Sequence, residues 1–161
     1  MKRLILVRHG KSAWDQNLPD EKRPLKKRGE KDGLLIAKSF SSFFQKPVTV
    51  WSSPAVRALS TANIFKRELV IEDKDFNIIK SLYTFHSGDL YTQIQNCDPS
   101  IDNLMIFGHN PAMTNLVNNL GDSYVDNIPT TGLTVLDFKT NSWKNLKDGK
   151  TILSLFPKNL R

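Results

Sequence analysis

Along this chain, short runs of apolar residues alternate with stretches in which apolar residues recur every three or four positions. Leu4-Ile5-Leu6-Val7 is the first run; Val48-Thr49-Val50-Trp51 and Leu104-Met105-Ile106-Phe107 repeat it. A strand covered on both faces is apolar at nearly every residue, so these segments predict buried parallel strands. From about Gly29 to Phe44, the residues Ile36, Ala37, Phe40, Phe43 and Phe44 follow helical spacing. Ala58, Leu59, Ala62 and Phe65 form a second helical face, with Ser53 as its N-cap and Pro54 at the first position. Met113, Leu116, Val117 and Leu120 form a third, with Asn110 as cap and Pro111 as first residue. Asn77 to Lys80 predicts a short strand and Asp89 to Gln95 a short helix closed off before Pro99. Thr134 to Phe138 and Thr151 to Phe156 predict two last strands joined by a turn. Lys11 to Arg28 shows no period at all.

Strands alternating with helices predict a three-layer α/β/α sandwich around a mainly parallel central sheet, with the final pair as an antiparallel edge. The 161 residues suit a single domain, 1–161, with a core that needs no staples. No insertion is long enough to build a large cap domain, so any site at the sheet edge should be open.

Composition narrows the choice little: 39% hydrophobic and 24% charged residues describe an ordinary globular chain, not a disordered one. Cys97 is the only cysteine, which excludes a disulfide framework and a cysteine-built zinc site. Met1-Lys2-Arg3 resembles the start of a signal peptide. The four apolar residues after it fall short of an h-region of about 7–15, and Arg8 ends them. No stretch approaches the ~20 apolar residues of a membrane span. The expectation is a cytoplasmic monomer without a membrane partner. A net charge of +7 asks for an acidic ligand. Nucleic acid is not favoured: there is no zinc-finger spacing, RNP-like motif or basic zipper, and Trp14, Trp51 and Trp143 are not interleaved with basic residues. A positive cleft for a phosphorylated ligand accounts for the same charge. The cluster Lys22, Arg23, Lys26, Lys27 and Arg28 stands where a helix should begin, and there each charge opposes the helix dipole by a few tenths of a kcal/mol. Solvation of that face offsets the cost, or an acidic protein docking beside the site does.

Three predicted strands end in chemistry: Arg8-His9-Gly10, Ser52-Ser53 followed by Arg57, and Gly108-His109-Asn110. Open α/β sheets bind ligands at the C-terminal ends of their strands. Arg57, in the first turn of its helix, leans back toward that edge. Two helix N-termini there offer unpaired N–H groups to an anion. Two arginines and two histidines aimed at one spot describe a pocket for a tetrahedral dianion such as phosphate. Gly10 allows a tight turn with no Cβ facing a bound group. Ser12 and Ser53 can donate to phosphate or serve as loop and capping residues. Asn110 caps its helix, its N–H facing the anion, while His86 is read as an ordinary loop residue. The residues themselves leave open whether His9 or His109 reacts.

Leu6-Val7-Arg8-His9-Gly10 resembles the signature of the histidine phosphatase superfamily, which includes phosphoglycerate mutases and acid phosphatases. Ser52-Ser53-Pro54-Ala55-Val56-Arg57-Ala58 with Thr61-Ala62 is similar to its second motif, and Gly108-His109-Asn110-Pro111 to its third. Asp20, Arg23-Pro24-Leu25 and Arg28-Gly29 resemble the compact SixA-type phosphohistidine phosphatases in particular, and the likeness runs to Phe156-Pro157-Lys158. The resemblance implies that His9 is a nucleophile forming a phosphoenzyme that water hydrolyses. It implies that Arg8, Arg57 and His109 hold the phosphoryl oxygens, with Gly10, Ser12, Arg23 and Asn110 around the substrate. It implies no metal and no cofactor. The partner is then a phosphorylated protein, or a small phosphorylated substrate.

One departure bears on substrate. Ester-cleaving members carry an acidic residue after the middle strand, whereas Ile78 to Gly88 contains none; its polar residues include Ser81, Tyr83 and His86. General acid catalysis is worth about 10²–10⁴-fold, so an alkoxide leaving group would suffer. The imidazole of phosphohistidine can be protonated before it leaves. Asp15, Asp20 and Asp89 are the carboxylates left that could serve. The expected activity is therefore that of a phosphatase acting on protein phosphohistidine. The alternatives are a phosphatase of a small phosphate ester and a phosphate-binding module without catalysis.

Overall fold

A computed structural model describes residues 1–161. Strands β1 (Lys2–Arg8), β2 (Thr49–Ser52), β3 (Phe76–Ile78), β4 (Asn103–Gly108), β5 (Leu133–Phe138) and β6 (Lys150–Leu155) form one sheet in the order β3-β2-β4-β1-β5-β6. The first four run parallel, and β5 pairs antiparallel with both β1 and β6. Helices α1 (Lys27–Ser41) and α2 (Val56–Glu68) cover one face; α3 (Ser87–Gln95) and α4 (Ala112–Leu120) cover the other.

Period-two alternation builds the two layers. Leu4, Leu6, Leu104 and Ile106 point into a core with Leu90, Ile94, Met113 and Leu116. Ile5, Val7, Met105 and Phe107 point the other way, against Ile36, Phe40, Ala62 and Phe65. Each of these apolar side chains buries surface worth about 1.5–3 kcal/mol, which is why the central strands read as unbroken apolar runs. The outer strands differ: β3 is only three residues long, and β6 is exposed at every second position.

Helices α1 and α3 start about two residues earlier than their patterns predict, and β3 is Phe76–Ile78 where the pattern gives Asn77 to Lys80. Three further helix boundaries depart for identifiable reasons. Helix α1 ends at Ser41, because Phe43 and Phe44 keep their apolar contacts from a turn whose N–H groups bond Phe40 O. Helix α2 starts at Val56 with Ala55 at its N-cap, so neither Ser53 nor Pro54 takes the expected place. The Ser53 hydroxyl is engaged elsewhere, as described below. Helix α4 begins at Ala112, yet Asn110 still caps it: its Oδ1 accepts from the Thr114 N–H at 3.1 Å.

The segment without a period, Lys11 to Arg28, runs as far as Lys26 outside any α-helix or strand, shaped by tertiary contacts, and its last two residues open α1. Lys11 O accepts from the Lys26 N–H at 2.8 Å, Ala13 N–H donates to Pro24 O at 2.9 Å, and Ser12 bridges Leu25. Gly29 makes this closure possible, since a Cβ there would stand 2.5 Å from Lys11 O. The loop thereby delivers Asp20 and Arg23 to the end of the sheet.

Candidate active site

Backbone pairing brings the two histidines together. Arg8 on β1 is in register with Gly108 on β4, and the His9 N–H donates to Gly108 O at 3.0 Å. His9 and His109 thus leave adjacent parallel strands side by side, with ring centroids 5.4 Å apart. Ser53 follows β2 into the same edge through its N–H to Phe107 O, 3.0 Å. Arg57 lies in the first turn of α2 and is 1% exposed.

His9 has a defined tautomer. Its Nδ1 is 2.7 Å from Gly10 O, an acceptor only, so Nδ1 carries the proton and Nε2 keeps a lone pair. Arg57 Nε–H lies 3.4 Å from that Nε2. Burial pushes the His9 imidazole down to about 4; the charges of Arg57, Arg8 and Arg23 add to the fall, and the Gly10 carbonyl opposes it. Burial, then His9 and Arg57, push His109 down to about 3. Both rings are neutral at physiological pH. The unfolded chain, with histidine near 6.5, binds protons that the folded chain refuses. The resulting stability is fully present above about pH 6.5 and is lost as pH falls through the two folded values. Thermal denaturation should therefore show Tm falling by several degrees from about pH 7 to 5, and less so in His109→Gln. A Tm unchanged over that interval would mean the rings are charged in the fold.

Three guanidinium groups surround the histidines. Arg8 donates through Nη1 to Ile128 O at 2.8 Å, and its buried Nε has no partner in the protein. Burial and the Arg57 charge lower its pKa. Arg23, 7% exposed, donates to Ser12 Oγ at 2.6 Å and lies with its guanidinium 3.5 Å from the centre of the exposed Trp14 ring. Asp20 bridges the other two: its Oδ2 accepts from Arg57 Nη2 at 2.9 Å and its Oδ1 from Arg23 Nε at 3.1 Å. The Tyr83 hydroxyl also donates to Oδ2. Burial opposes its ionisation, but hydrogen bonds from Tyr83, Arg57 and Arg23 outweigh that and hold the carboxyl at about 2.

These groups open on a cavity of about 580 Å³. Arg8, His9, Ser12, Arg23, Arg57 and Asn110 all line it. His109 lies just behind, packed against His9, Tyr83 and Phe85. Gly10 is the exception among the expected substrate contacts. Its N–H is spent on Thr61 Oγ1 at 2.9 Å, and a Cβ on it would stand 3.2 Å from Gly29 Cα, so it shapes the turn and does not line the cavity. Lys11, Lys26, Trp14, Phe85 and Thr130 also line the cavity, although the motifs did not point to them. For Lys11 and Trp14 the available signal was proximity to His9 in the chain. Of the three candidate acids only Asp20 is at the cavity; Asp89 accepts from Thr84 Oγ1 at 3.0 Å, and Asp15 is exposed. His86 is exposed too. No three His, Cys, Asp or Glu side chains converge on a metal-sized position. A larger hollow of about 850 Å³ lies at the opposite end of the sheet, between lysines and aspartates, with no buried arginine or histidine in it.

An unprotonated imidazole nitrogen among buried guanidinium groups can attack a phosphorus atom while the arginines hold its oxygens. The fold and this edge of the sheet thus define a protein built to handle phosphoryl groups. The family model of the histidine phosphatase superfamily (branch 1) matches residues 4–92, and the chain belongs to that superfamily, which makes it a phosphatase by class. An uncharacterized chloroplastic protein of Arabidopsis thaliana is 30% identical over 152 residues, covering 89% of this chain and 69% of that protein. The crystal structure of the Agrobacterium tumefaciens protein assigned as phosphohistidine phosphatase SixA is 26% identical. It superimposes with a TM-score of 0.80 over 96% of this chain and 97% of that one. A protein histidine phosphatase SixA complexed with tungstate gives 0.82 at 20% identity, with 99% of each chain covered. A mycobacterial glucosyl-3-phosphoglycerate phosphatase gives 0.69 at 12% identity, over 95% of this chain and 98% of that one. No helix is long and apolar enough to cross a membrane.

Proposed function

We propose that this protein removes the phosphoryl group from phosphohistidine on a protein, passing it through His9. His9 Nε2 attacks phosphorus while the bond to the substrate imidazole breaks, and that imidazole departs carrying its own proton. Water then attacks phospho-His9, releasing orthophosphate and restoring the free Nε2. Arg8, Arg57, Arg23 and His109 hold the phosphoryl oxygens through both steps, and Ser12 and Asn110 border the substrate.

The observation that carries this reading is Asp20. It is the only carboxylate at the cavity, and Tyr83, Arg57 and Arg23 keep it ionised, so it has no proton to give a leaving group. A substrate whose leaving group can be protonated beforehand suits such a site, and phosphohistidine is one. Likeness to the SixA protein of Agrobacterium supports the same substrate class. The experiment is a comparison of kcat/KM on a histidine-phosphorylated protein with a panel of aryl and alkyl phosphates. Preference for the phosphoramidate is the expected result; preference for an alkyl ester would move the assignment to a small-ester phosphatase. No turnover of any of them would leave a phosphate-binding module.

A protein substrate is supported by the rim. Trp14 lines the cavity and stands 76% exposed, an aromatic surface open to a partner. Of the basic cluster only Arg23 and Arg28 are ion-paired, to Asp20 and Asp32; Lys22, Lys26 and Lys27 are exposed and without such partners. The double substitution Lys22→Glu/Lys27→Glu lies outside the cavity. It should lower kcat/KM on an acidic phosphohistidine protein about tenfold at low salt and progressively less as salt rises. Turnover of a small aryl phosphate should stay unchanged. An equal loss on both substrates would refute a docking role for this face.

A further inference from the structure

The Ser53 hydroxyl caps no N–H of α2 and does not line the cavity. Ser53 is fully buried, accepts from the Ala55 N–H at 3.2 Å, and lies 2.8 Å from His109 Nε2. His109 is 2% exposed, and its other nitrogen, Nδ1, is buried with no partner in the protein. A hydroxyl has one proton to donate. Counting partners therefore decides where the protons sit.

If Nε2 carried the proton and donated to Ser53, the Ser53 proton would have no acceptor and the Nδ1 lone pair no donor. Two buried polar groups would be orphaned, and buried polar groups without partners are strongly disfavoured. If Ser53 donates to Nε2, only one group is left over, the Nδ1–H. That donor lies in a ring tilted against His9 with its centroid 5.4 Å away, where a phosphoryl group carried by His9 would supply the missing acceptor. A doubly protonated ring is disfavoured by its surroundings. Arg8 at the end of β1, His9 just after it and Arg57 in α2 face it, and Asp20 opposes them, while Tyr83 and Phe85 pack on it as uncharged rings.

We infer that Ser53 is a positioning residue: it fixes His109 as the Nδ1–H tautomer, so that His109 meets the transferred phosphoryl group as a neutral hydrogen-bond donor. The inference rests on the phosphatase reading for the identity of the acceptor, but not for the tautomer.

Two-bond proton–nitrogen correlation spectra of the resting protein at neutral pH read each imidazole nitrogen directly. The expected spectrum has His109 Nε2 unprotonated and Nδ1 protonated, with the Nδ1 proton moving on addition of inorganic phosphate. Ser53→Ala should release the Nε2–H form and lower kcat on an aryl phosphate about 10- to 100-fold. Ser53→Thr, which keeps the hydroxyl, should hold the wild-type tautomer and most of the rate. A protonated Nε2 in the wild-type protein, or an unchanged tautomer in Ser53→Ala, would overturn the inference. Should Ser53→Ala fail to fold, the wild-type spectrum and the Ser53→Thr rate still decide it. Because the tautomer is read without turnover, failure of the phosphatase assignment would show separately, as absence of hydrolysis on every phosphate tested.

Discussion

His9→Ala is expected to lower turnover by at least roughly 10⁴-fold while leaving inorganic phosphate binding measurable by calorimetry. The two effects separate because different residues carry them. Nε2 of His9 is the unprotonated nitrogen at the cavity, fixed as such by the Nδ1 proton on Gly10 O. Without it no phosphoenzyme can form, and rapid acid-free quenching of a labelled substrate should trap none. On the proposed reading the oxygens of phosphate are met instead by Arg8, Arg57 and Arg23, which line the cavity and which the substitution leaves in place. Some fall in affinity is expected, because the imidazole also fills space beside Arg57. Wild-type turnover in His9→Ala would remove this residue from the nucleophile's role outright.

The second large effect concerns the leaving group. Among phosphate esters, rates should rise steeply with the acidity of the departing alcohol, with alkyl phosphates at least about 10²–10⁴-fold slower than activated aryl phosphates. Phosphoramidates, protonated on nitrogen before cleavage, should escape this penalty. The reason is the state of Asp20: with its carboxyl at about 2 it is a counter-ion to Arg57 and Arg23, not an acid. Asp20→Asn should then depress all substrates together, since it loosens both arginines, and should leave the ratio of aryl to alkyl rates unchanged. A flat leaving-group series in the wild-type protein, or a loss confined to alkyl esters in Asp20→Asn, would show that Asp20 donates a proton after all.

Much of the fold was legible because its signals are local. Leu4 to Val7 and Leu104 to Phe107 are apolar on both faces and became the two central strands. The apolar face of α4 followed helical spacing to Leu120. Arg8, His9, Arg57 and His109 could be assigned to one edge because each terminates a strand or opens a helix. What escaped notice depends on contacts between distant parts of the chain. Lys11 to Arg28 shows no periodicity because most of it is folded by pairings such as Ala13 with Pro24 and Lys11 with Lys26, which close on Gly29. Asp20 meets Arg57 and Tyr83 across 37 and 63 residues, and no local pattern encodes such a meeting. The late start of α2 is hidden too: Ser53 has the ideal residue type for a cap, but its hydroxyl accepts from the Ala55 N–H ahead of the helix and also meets His109, 56 residues later.

The register of Arg8 with Gly108 has a consequence for how such a protein can diversify. The spacing of His9 and His109 is set by ladder hydrogen bonds between two interior strands, not by the shape of any loop. Residues 11–26 and 83–86, which border the cavity, hang from that ladder without determining it. New loop sequences can therefore be tried around an unmoved reaction centre. Sliding β1 against β4 by one residue would instead turn one of the two rings toward the opposite helical layer and leave the pair apart. Loop exchange is thus the route to altered selectivity in this scaffold, and the two central strands are the part to leave alone.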